Sequence, residues 1–421
     1  MKLIIIGAGP GGYETAAEAA ARGIEVVLIY DGPLGGTCLN EGCIPTKALC
    51  AMDAPDQERK RAVVDQLTAG IGQLMRNPLI TLVQGVASLG CGRCVDVRAA
   101  DGSTLHFDAD AIIIATGSVS ASLPIPGAEK ALDSSAMLEL SRVPERLCVI
   151  GGGVIGLEFA SIYRKFGSEV TVLEFCPNIL PRFDVDLAKR LKASLSKRGI
   201  KIETAARVTE IDGDTVRWTK GDKSFETSAD CILMAVGRRP NLASLNLDEA
   251  GIEYTPRGIV VDENMQTNRP GIYAVGDITG GMMLAHVASA QGRRALAHIC
   301  GETCLTDMSI VPAAVFTVPE AATVGLTEEE CAGREISVGK ANYRANGKAV
   351  ASGEADGWCK VIADKASGKI IGAHILGAHS SDLIHEAAVL IALGATCTRA
   401  RDIIHAHPTL SEVLLAALRD V

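Results

Sequence analysis

Short apolar runs, each leading through a glycine-rich turn into a helical stretch, recur along this chain of 421 residues. The first is Leu3–Ile6, which opens into Gly7-Ala8-Gly9-Pro10-Gly11-Gly12 and an alanine-rich helix over Tyr13–Ala21. A strand over Glu25–Tyr30 follows, and Asp110–Gly117 reads as a buried strand ending in Ala115-Thr116-Gly117. The same sentence is then repeated: Leu147–Ile150, Gly151-Gly152-Gly153-Val154-Ile155-Gly156, a helix, and Glu169–Leu173 ending at Glu174. Continuous apolar strands alternating with helices predict parallel sheets buried on both faces, hence an α/β fold. Between the repeats, Asp56–Arg76 reads as a helix with Val63, Leu67, Ile71 and Leu74 on one face. Pro124-Ile125-Pro126-Gly127 reads as a linker. From Val311 onward alternating strands precede a helix over Asp382–Leu393, which predicts a further α+β domain.

Composition narrows the class. A chain of this length exceeds what one core organises, and 48% apolar with 22% charged residues describes a globular protein. The longest apolar runs are strand-length, far below the roughly 20 residues of a membrane helix. A formal net charge of −9 argues against nucleic acid or an anionic membrane as partner. Thirteen cysteines, odd in number and scattered, do not make a secreted disulfide framework. With the chain opening directly in a strand, a cytoplasmic location is expected.

The chemistry concentrates in Gly35-Gly36-Thr37-Cys38-Leu39-Asn40-Glu41-Gly42-Cys43-Ile44-Pro45-Thr46-Lys47. Two cysteines so spaced can be a redox disulfide, half of a metal site or ordinary buried thiols. Metal sites prefer shorter spacings and further ligands nearby. On a regular helix the five-residue step rises about 7.5 Å, beyond the roughly 7 Å that a disulfide spans between Cα atoms. Bridging Cys38 and Cys43 therefore requires an irregular helix start, which Gly42 and Pro45 allow. Elsewhere Cys91-Gly92-Arg93-Cys94 reads as a hairpin turn, and no metal ion is expected.

The cysteine stretch resembles the active-site signature of the flavin-dependent disulfide oxidoreductases, the class I pyridine nucleotide-disulfide family. Its wording is most similar to that of the dihydrolipoamide dehydrogenases. The resemblance runs from Met1 to Val421 and implies two nested Rossmann-like dinucleotide-binding domains followed by a C-terminal α+β dimerisation domain. It implies residues 1–119 and 244–308 for FAD, 120–243 for NAD and 309–421 for the subunit interface. Gly7, Gly9 and Gly12 supply a G-x-G-x-x-G turn between strand and helix, where backbone can approach a pyrophosphate. With Pro10, they would hold FAD alongside Gly36, Thr37, Lys47, Thr116 and Gly117. Thr267–Asp277 matches a second flavin signature, with Gly276 and Asp277 near the ribityl chain and Leu284-Ala285-His286 opening a helix toward the flavin ring. The FAD ribose acid of the family falls on Tyr30; either its hydroxyl substitutes, or Asp31 one residue later takes the role, which is the preferred reading.

In the repeat, Gly151, Gly153, Val154, Ile155 and Gly156, with Gly237, would hold NAD. Glu174 would accept both ribose hydroxyls, and Phe175–Leu180 contains no Arg or Lys to grip a 2′-phosphate. NAD is thus expected over NADP. Glu158 takes the family position that pairs with Lys47 beside the reactive flavin nitrogen. His405-Ala406-His407-Pro408-Thr409-Leu410-Ser411-Glu412 has the family's spacing for a catalytic base, His407, oriented by Glu412; Pro408 is expected in a turn where a cis bond is admissible. The implied activity is oxidation of dihydrolipoamide on lipoyl domains of a multienzyme complex, with reduction of NAD⁺, in a homodimer with shared sites. Alternatives are a related reductase acting on another thiol and a non-catalytic FAD-binding subunit. The chain looks trimmed beside its active-site helix. No cysteine pair stands in Leu418-Arg419-Asp420-Val421, which disfavours mercuric reductase.

Overall fold

The computed structural model describes every residue from Met1 to Val421. The chain forms two compact units. One comprises Met1–Leu49, Asp56–Ala121 and Arg238–Met308; the other comprises Cys50–Pro55, Ser122–Gly237 and Ser309–Val421.

In the first unit, five parallel strands lie in the order Ile272–Ala274, Ala111–Ile114, Lys2–Ile6, Glu25–Tyr30, Ile80–Gln84. Alternate residues of the central strand enter different cores, as the pleat dictates. Leu3 and Ile5 pack with Ala16, Ala19, Ala295 and Leu296, under the helices Pro10–Ala21 and Ala285–Ile299. Ile4 and Ile6 pack with Val95 and Val97 of the antiparallel sheet Val86–Leu89, Cys94–Arg98, Thr104–Asp108. Small residues let the two helices approach closely: a Cβ on Gly292 would lie 2.0 Å from Thr15 Oγ1. The first helix begins at Pro10, earlier than Tyr13, because the ring fixes a helical φ where no N–H partner is needed.

The helix Gln57–Leu74 differs from its sequence reading in what it buries. Leu67 and Leu74 are 42% and 47% exposed, and Lys60 is its one buried residue. Of the stripe, Ile71 packs against the core that holds Met75.

In the second unit a parallel sheet runs Ile200–Thr204, Glu169–Glu174, Arg146–Ile150, Cys231–Met234. The antiparallel sheet Ala313–Val315, Ala321–Gly325, Ile370–Leu376, Trp358–Asp364, Ile336–Asn342 is covered by the helices Ser380–Ala392 and Glu412–Asp420. The first of these helices starts at Ser380, earlier than Asp382. Lys360 is wholly buried, a costly position for an ammonium unless carboxylates answer it. Asp184 and Glu328 do so at 2.6 and 2.8 Å. This network ties the segment before the helix Val185–Lys197 to the C-terminal sheet. No helix of the protein is long and apolar enough to cross a membrane.

Candidate functional site

The irregular helix start required by the cysteine spacing is present. Cys38 lies in the short helix Gly36–Asn40, the chain breaks at Glu41-Gly42, and Cys43 opens a new helix, Cys43–Cys50. A Cβ on Gly42 would meet Thr37 O at 3.0 Å, so the break is packed tightly. The two cysteines stand as hydrogen-bonded thiols. That bond, then burial, pushes the Cys38 thiol well up, while the Lys47 charge and the Cys43 backbone N–H oppose the rise. Cys43 is exposed at its helix start, and its backbone N–H is turned to Cys38. Lys47 is one turn further along the same helix.

This segment is joined to the first glycine-rich turn by backbone. Gly35 N donates to Ala8 O at 2.9 Å, and Gly36, at φ +60°, lies so close that a Cβ would be 2.7 Å from Gly9 Cα. Within the turn a Cβ on Gly12 would sit 1.8 Å from Gly7 O, and its counterpart on Gly156 would sit 2.0 Å from Gly151 O. The middle glycines behave oppositely: around Gly9 and Gly153 no protein atom comes within 4 Å of a Cβ position. The helices Pro10–Ala21 and Val154–Lys165 have no side-chain cap and no acid in the first turn. Tight outer glycines, an open middle one and bare helix N–H groups fit a dinucleotide pyrophosphate in each unit.

Register equates the ends of the two second strands. Gly151 N donates to Leu173 O and Gly7 N to Ile29 O, so Glu174 and Tyr30 are equivalent. Glu174 is buried, with Oε2 accepting from Gly152 N at 2.5 Å and Oε1 from Cys176 N at 2.6 Å. Leu180 N returns to Gly152 O at 3.0 Å, folding the following loop over the turn. Tyr30 packs against the apolar core, and Asp31 is exposed just beyond it. One cation near this corner escaped the sequence reading: Arg207 places its guanidinium 5.1 Å from the ring centre of Phe175. It comes from a strand more than thirty residues downstream, so local spacing carries no sign of it.

Asp277 follows the strand Ile272–Ala274, and its carboxylate accepts from Ser118 Oγ at 2.5 Å. Ser118 Oγ in turn accepts from Arg238 Nε at 2.7 Å. The strands Ser118–Ser120 and Arg238–Pro240 pair antiparallel to build this chain of contacts, another feature without a local sequence signal. Thr116 Oγ1 donates to Asn241 O at 3.1 Å, Gly276 N to Gln291 Oε1 at 2.6 Å, and Gly117 is at φ +71°. Leu284 is the N-cap of the helix Ala285–Ile299, which again has no side-chain cap; His286 is exposed in its first turn.

In the second unit, Glu158 is buried on the helix Val154–Lys165 and its Oε1 accepts from Phe316 N at 3.0 Å. Gly237, at φ +115°, is open around its Cβ position, like Gly153. The His407–Pro408 bond is cis. His407 Nδ1 is 3.0 Å from Glu412 Oε1, while Glu412 Oε2 accepts from Thr409 N at 2.9 Å. The Thr409 N–H first, and His407 second, hold the Glu412 carboxyl below the usual carboxylate range. A carboxylate on Nδ1 fixes the ring tautomer that leaves Nε2 able to accept a proton. The neighbouring His405 has both ring nitrogens engaged, by Ile403 O and Glu386. His407 is 77% exposed, so of the two it is the one open to substrate.

Known proteins resemble this chain along its whole length. Residues 1–292 match the pyridine nucleotide-disulphide oxidoreductase family, and residues 311–418 match that family's dimerisation domain. A dihydrolipoyl dehydrogenase of Bacillus subtilis is 38% identical over 449 aligned positions, covering 99% of this chain and 98% of the relative. Those positions outnumber the 421 residues here, so the relative carries segments that this chain lacks. Leghemoglobin reductase of Glycine max is 38% identical, covering 99% of this chain and 86% of the relative. The solved structure of the HOCl-induced flavoprotein disulfide reductase RclA from Escherichia coli superposes with a TM-score of 0.92 at 32% identity, covering 100% of this chain and 99% of that one. The chain belongs to the pyridine nucleotide-disulphide oxidoreductase family: it is a flavin-dependent disulfide oxidoreductase that works with FAD and a pyridine nucleotide and carries the family's dimerisation domain.

Proposed function

We propose that the protein oxidises dihydrolipoamide borne on the lipoyl domains of a multienzyme complex and passes the electrons to NAD⁺. The observation that carries this reading is the pair of hydrogen-bonded thiols on a broken helix, with Lys47 one turn on. His407 and Glu412 of one subunit would serve the cysteines of its partner. The unit holding the first glycine turn would bind FAD through the residues named above. The glycine turn at Gly151–Gly156 would bind NAD, with Glu174 on the ribose. Lys47 and Glu158 would form an ion pair.

The exchange begins from a Cys38–Cys43 disulfide. His407 Nε2 takes the proton of one substrate thiol, and the thiolate attacks Cys38 Sγ. The Cys38–Cys43 bond breaks and Cys43 leaves as a thiolate, stabilised by its helix start and Lys47. The second substrate thiol then displaces Cys38 and gives it its proton, closing the lipoyl disulfide, while His407 keeps the first proton as an imidazolium beside the Cys43 thiolate. The substrate has lost two electrons and two protons, and the cysteine pair has gained two electrons. Bound FAD supplies the two-electron path from the Cys43 thiolate to NAD⁺.

A second reading, an NAD(P)H-dependent reductase of a different disulfide, is favoured by the TM-score of 0.92 with the RclA structure. A third, an inert FAD-binding subunit, leaves the complete Cys38, Cys43, His407 and Glu412 set without a purpose. Rapid mixing with dihydrolipoamide separates them. The proposed enzyme loses its visible flavin absorbance within seconds and recovers it on adding NAD⁺. An unchanged spectrum rules out turnover of this dithiol.

A further inference from the structure

Far along the chain from the redox pair, the antiparallel sheet of the first unit gathers a second set of soft and hard donors. Cys94 opens the strand Cys94–Arg98, and His106 and Asp108 lie on Thr104–Asp108. Register sets Cys94 opposite Asp108 and Asp96 opposite His106. Val95 and Val97 are fully buried in the core, so by strand alternation these four side chains share the outer face. The donor atoms of Cys94, His106 and Asp108 all lie within 4.8 Å of one another.

The histidine is already oriented as a ligand would be. Its Nδ1 is 2.7 Å from Asp96 Oδ1, and its Nε2 faces Asp108 Oδ1 at 3.7 Å. A carboxylate behind one ring nitrogen, with the other turned toward a thiol and a second carboxylate, is the usual outer support of a zinc-bound imidazole. At the hairpin tip Cys91 stands three residues before Cys94, and Cys94 Sγ donates to its backbone O at 3.0 Å. Gly90 leaves the room: a Cβ there would lie 2.5 Å from Cys94 Sγ. In a tetrahedral zinc site, donors about 2.0–2.3 Å from the metal stand roughly 3.3–3.8 Å apart. Side-chain rotation of about 1 Å would bring this set to that spacing.

We propose that Cys94, His106 and Asp108, completed by Cys91, form a zinc site that pins the tip of the hairpin to the neighbouring strand, with Asp96 as a positioning residue. Thiolate, imidazole and carboxylate together suit zinc rather than magnesium or calcium, which take oxygen alone. Along the chain the ligands come as a Cys-x-x-Cys pair and a His-x-Asp pair, which meet only because the two strands are in this register.

The test removes the redox cysteines as competing ligands. FAD-loaded protein carrying Cys38→Ser and Cys43→Ser is reduced, stripped with chelator, given zinc sulfate and desalted. Metal is then counted by plasma emission. The site predicts about one zinc per chain retained, falling at least about tenfold when Cys94→Ser or His106→Asn is added. Asp96→Asn should weaken retention by about 10–100-fold in free-zinc titration while leaving the ligands in place. Cobalt in place of zinc should give a near-ultraviolet thiolate band that Cys94→Ser abolishes. Flavin content and circular dichroism check that each variant folds. Zinc retention that is absent in the parent, or equal in parent and variants as for an adventitious ion only, overturns the site.

Discussion

His407 Nδ1 and Glu412 Oε1 lie 3.0 Å apart across a turn closed by the Thr409 N–H, which binds the other oxygen of the same carboxylate. One acid thereby fixes both the loop and the ring, and the ring's remaining nitrogen is presented outward. His407→Gln should lower kcat/KM for a dithiol by about 10²–10⁴, the usual contribution of a positioned base. If the base serves the partner's cysteines, dimers of His407→Gln and of Cys38→Ser are each nearly dead, yet random mixing should restore about a quarter of wild-type activity. Half of the dimers are then hybrids with one intact site in two. With subunit exchange shown by two tags, no recovery would mean that each site is built from a single chain.

Cys38 and Cys43 should not be interchangeable. Cys38→Ser leaves Cys43 as a thiolate at its helix start and should add a long-wavelength absorbance to the flavin spectrum. Cys43→Ser should abolish turnover without that band. Wild-type rates in both variants would make the pair structural.

Two backbone donors hold the Glu174 carboxylate at the strand end proposed for the nucleotide ribose, where it would oppose a 2′-phosphate. Setting like charges together costs several kcal/mol, so kcat/KM with NADP should be lower than with NAD by on the order of 100-fold. Arg207, over the ring of Phe175, is the cation able to soften that bias. Arg207→Ala should therefore widen the preference, and equal use of the two nucleotides would refute the role of Glu174.

Acid sensitivity should reside in His374. Burial lowers its pKa from 6.5 to about 4, with Asp184 opposing and Lys360 assisting. Between those values the unfolded chain binds a proton that the folded one does not, so stability falls as pH drops from about 6.5 toward about 4. The loss for this one group approaches about 3 kcal/mol per chain at the acid end. Asp184, whose carboxyl is lowered despite its burial, gives up its stability only below that window. Urea midpoints across this range should slope less in His374→Asn than in the wild type; identical slopes would place the sensitivity elsewhere.

Much of this was legible because strand–turn–helix repeats are local. The strand Glu25–Tyr30 begins and ends where its apolar run does, and both glycine turns have the packing their spacing requires. The break at Glu41-Gly42 follows from asking how two cysteines so spaced could bridge. What escaped was long-range. The Arg238–Ser118–Asp277 contacts depend on a pairing between strands far apart in sequence. The buried Lys360 network joins a loop to a distant sheet. The helix Gln57–Leu74 has the periodicity of a packed helix, but periodicity names a face and not what covers it. Tyr30 remains an instructive departure: register equates it with Glu174, and its ring packs into the core, so the adjacent Asp31 is the acid left at that corner.

The most direct measurement is the steady-state specificity of the purified, FAD-loaded protein. Dihydrolipoamide with NAD⁺ would be compared with glutathione and coenzyme A, each in both directions and with each nicotinamide. The value of kcat/KM for dihydrolipoamide with NAD⁺ should exceed every other combination by at least about 100-fold, and should collapse in Cys38→Ser and His407→Gln. A comparable or higher value for another thiol or disulfide, or for an NADPH-driven reduction, would contradict the proposed function.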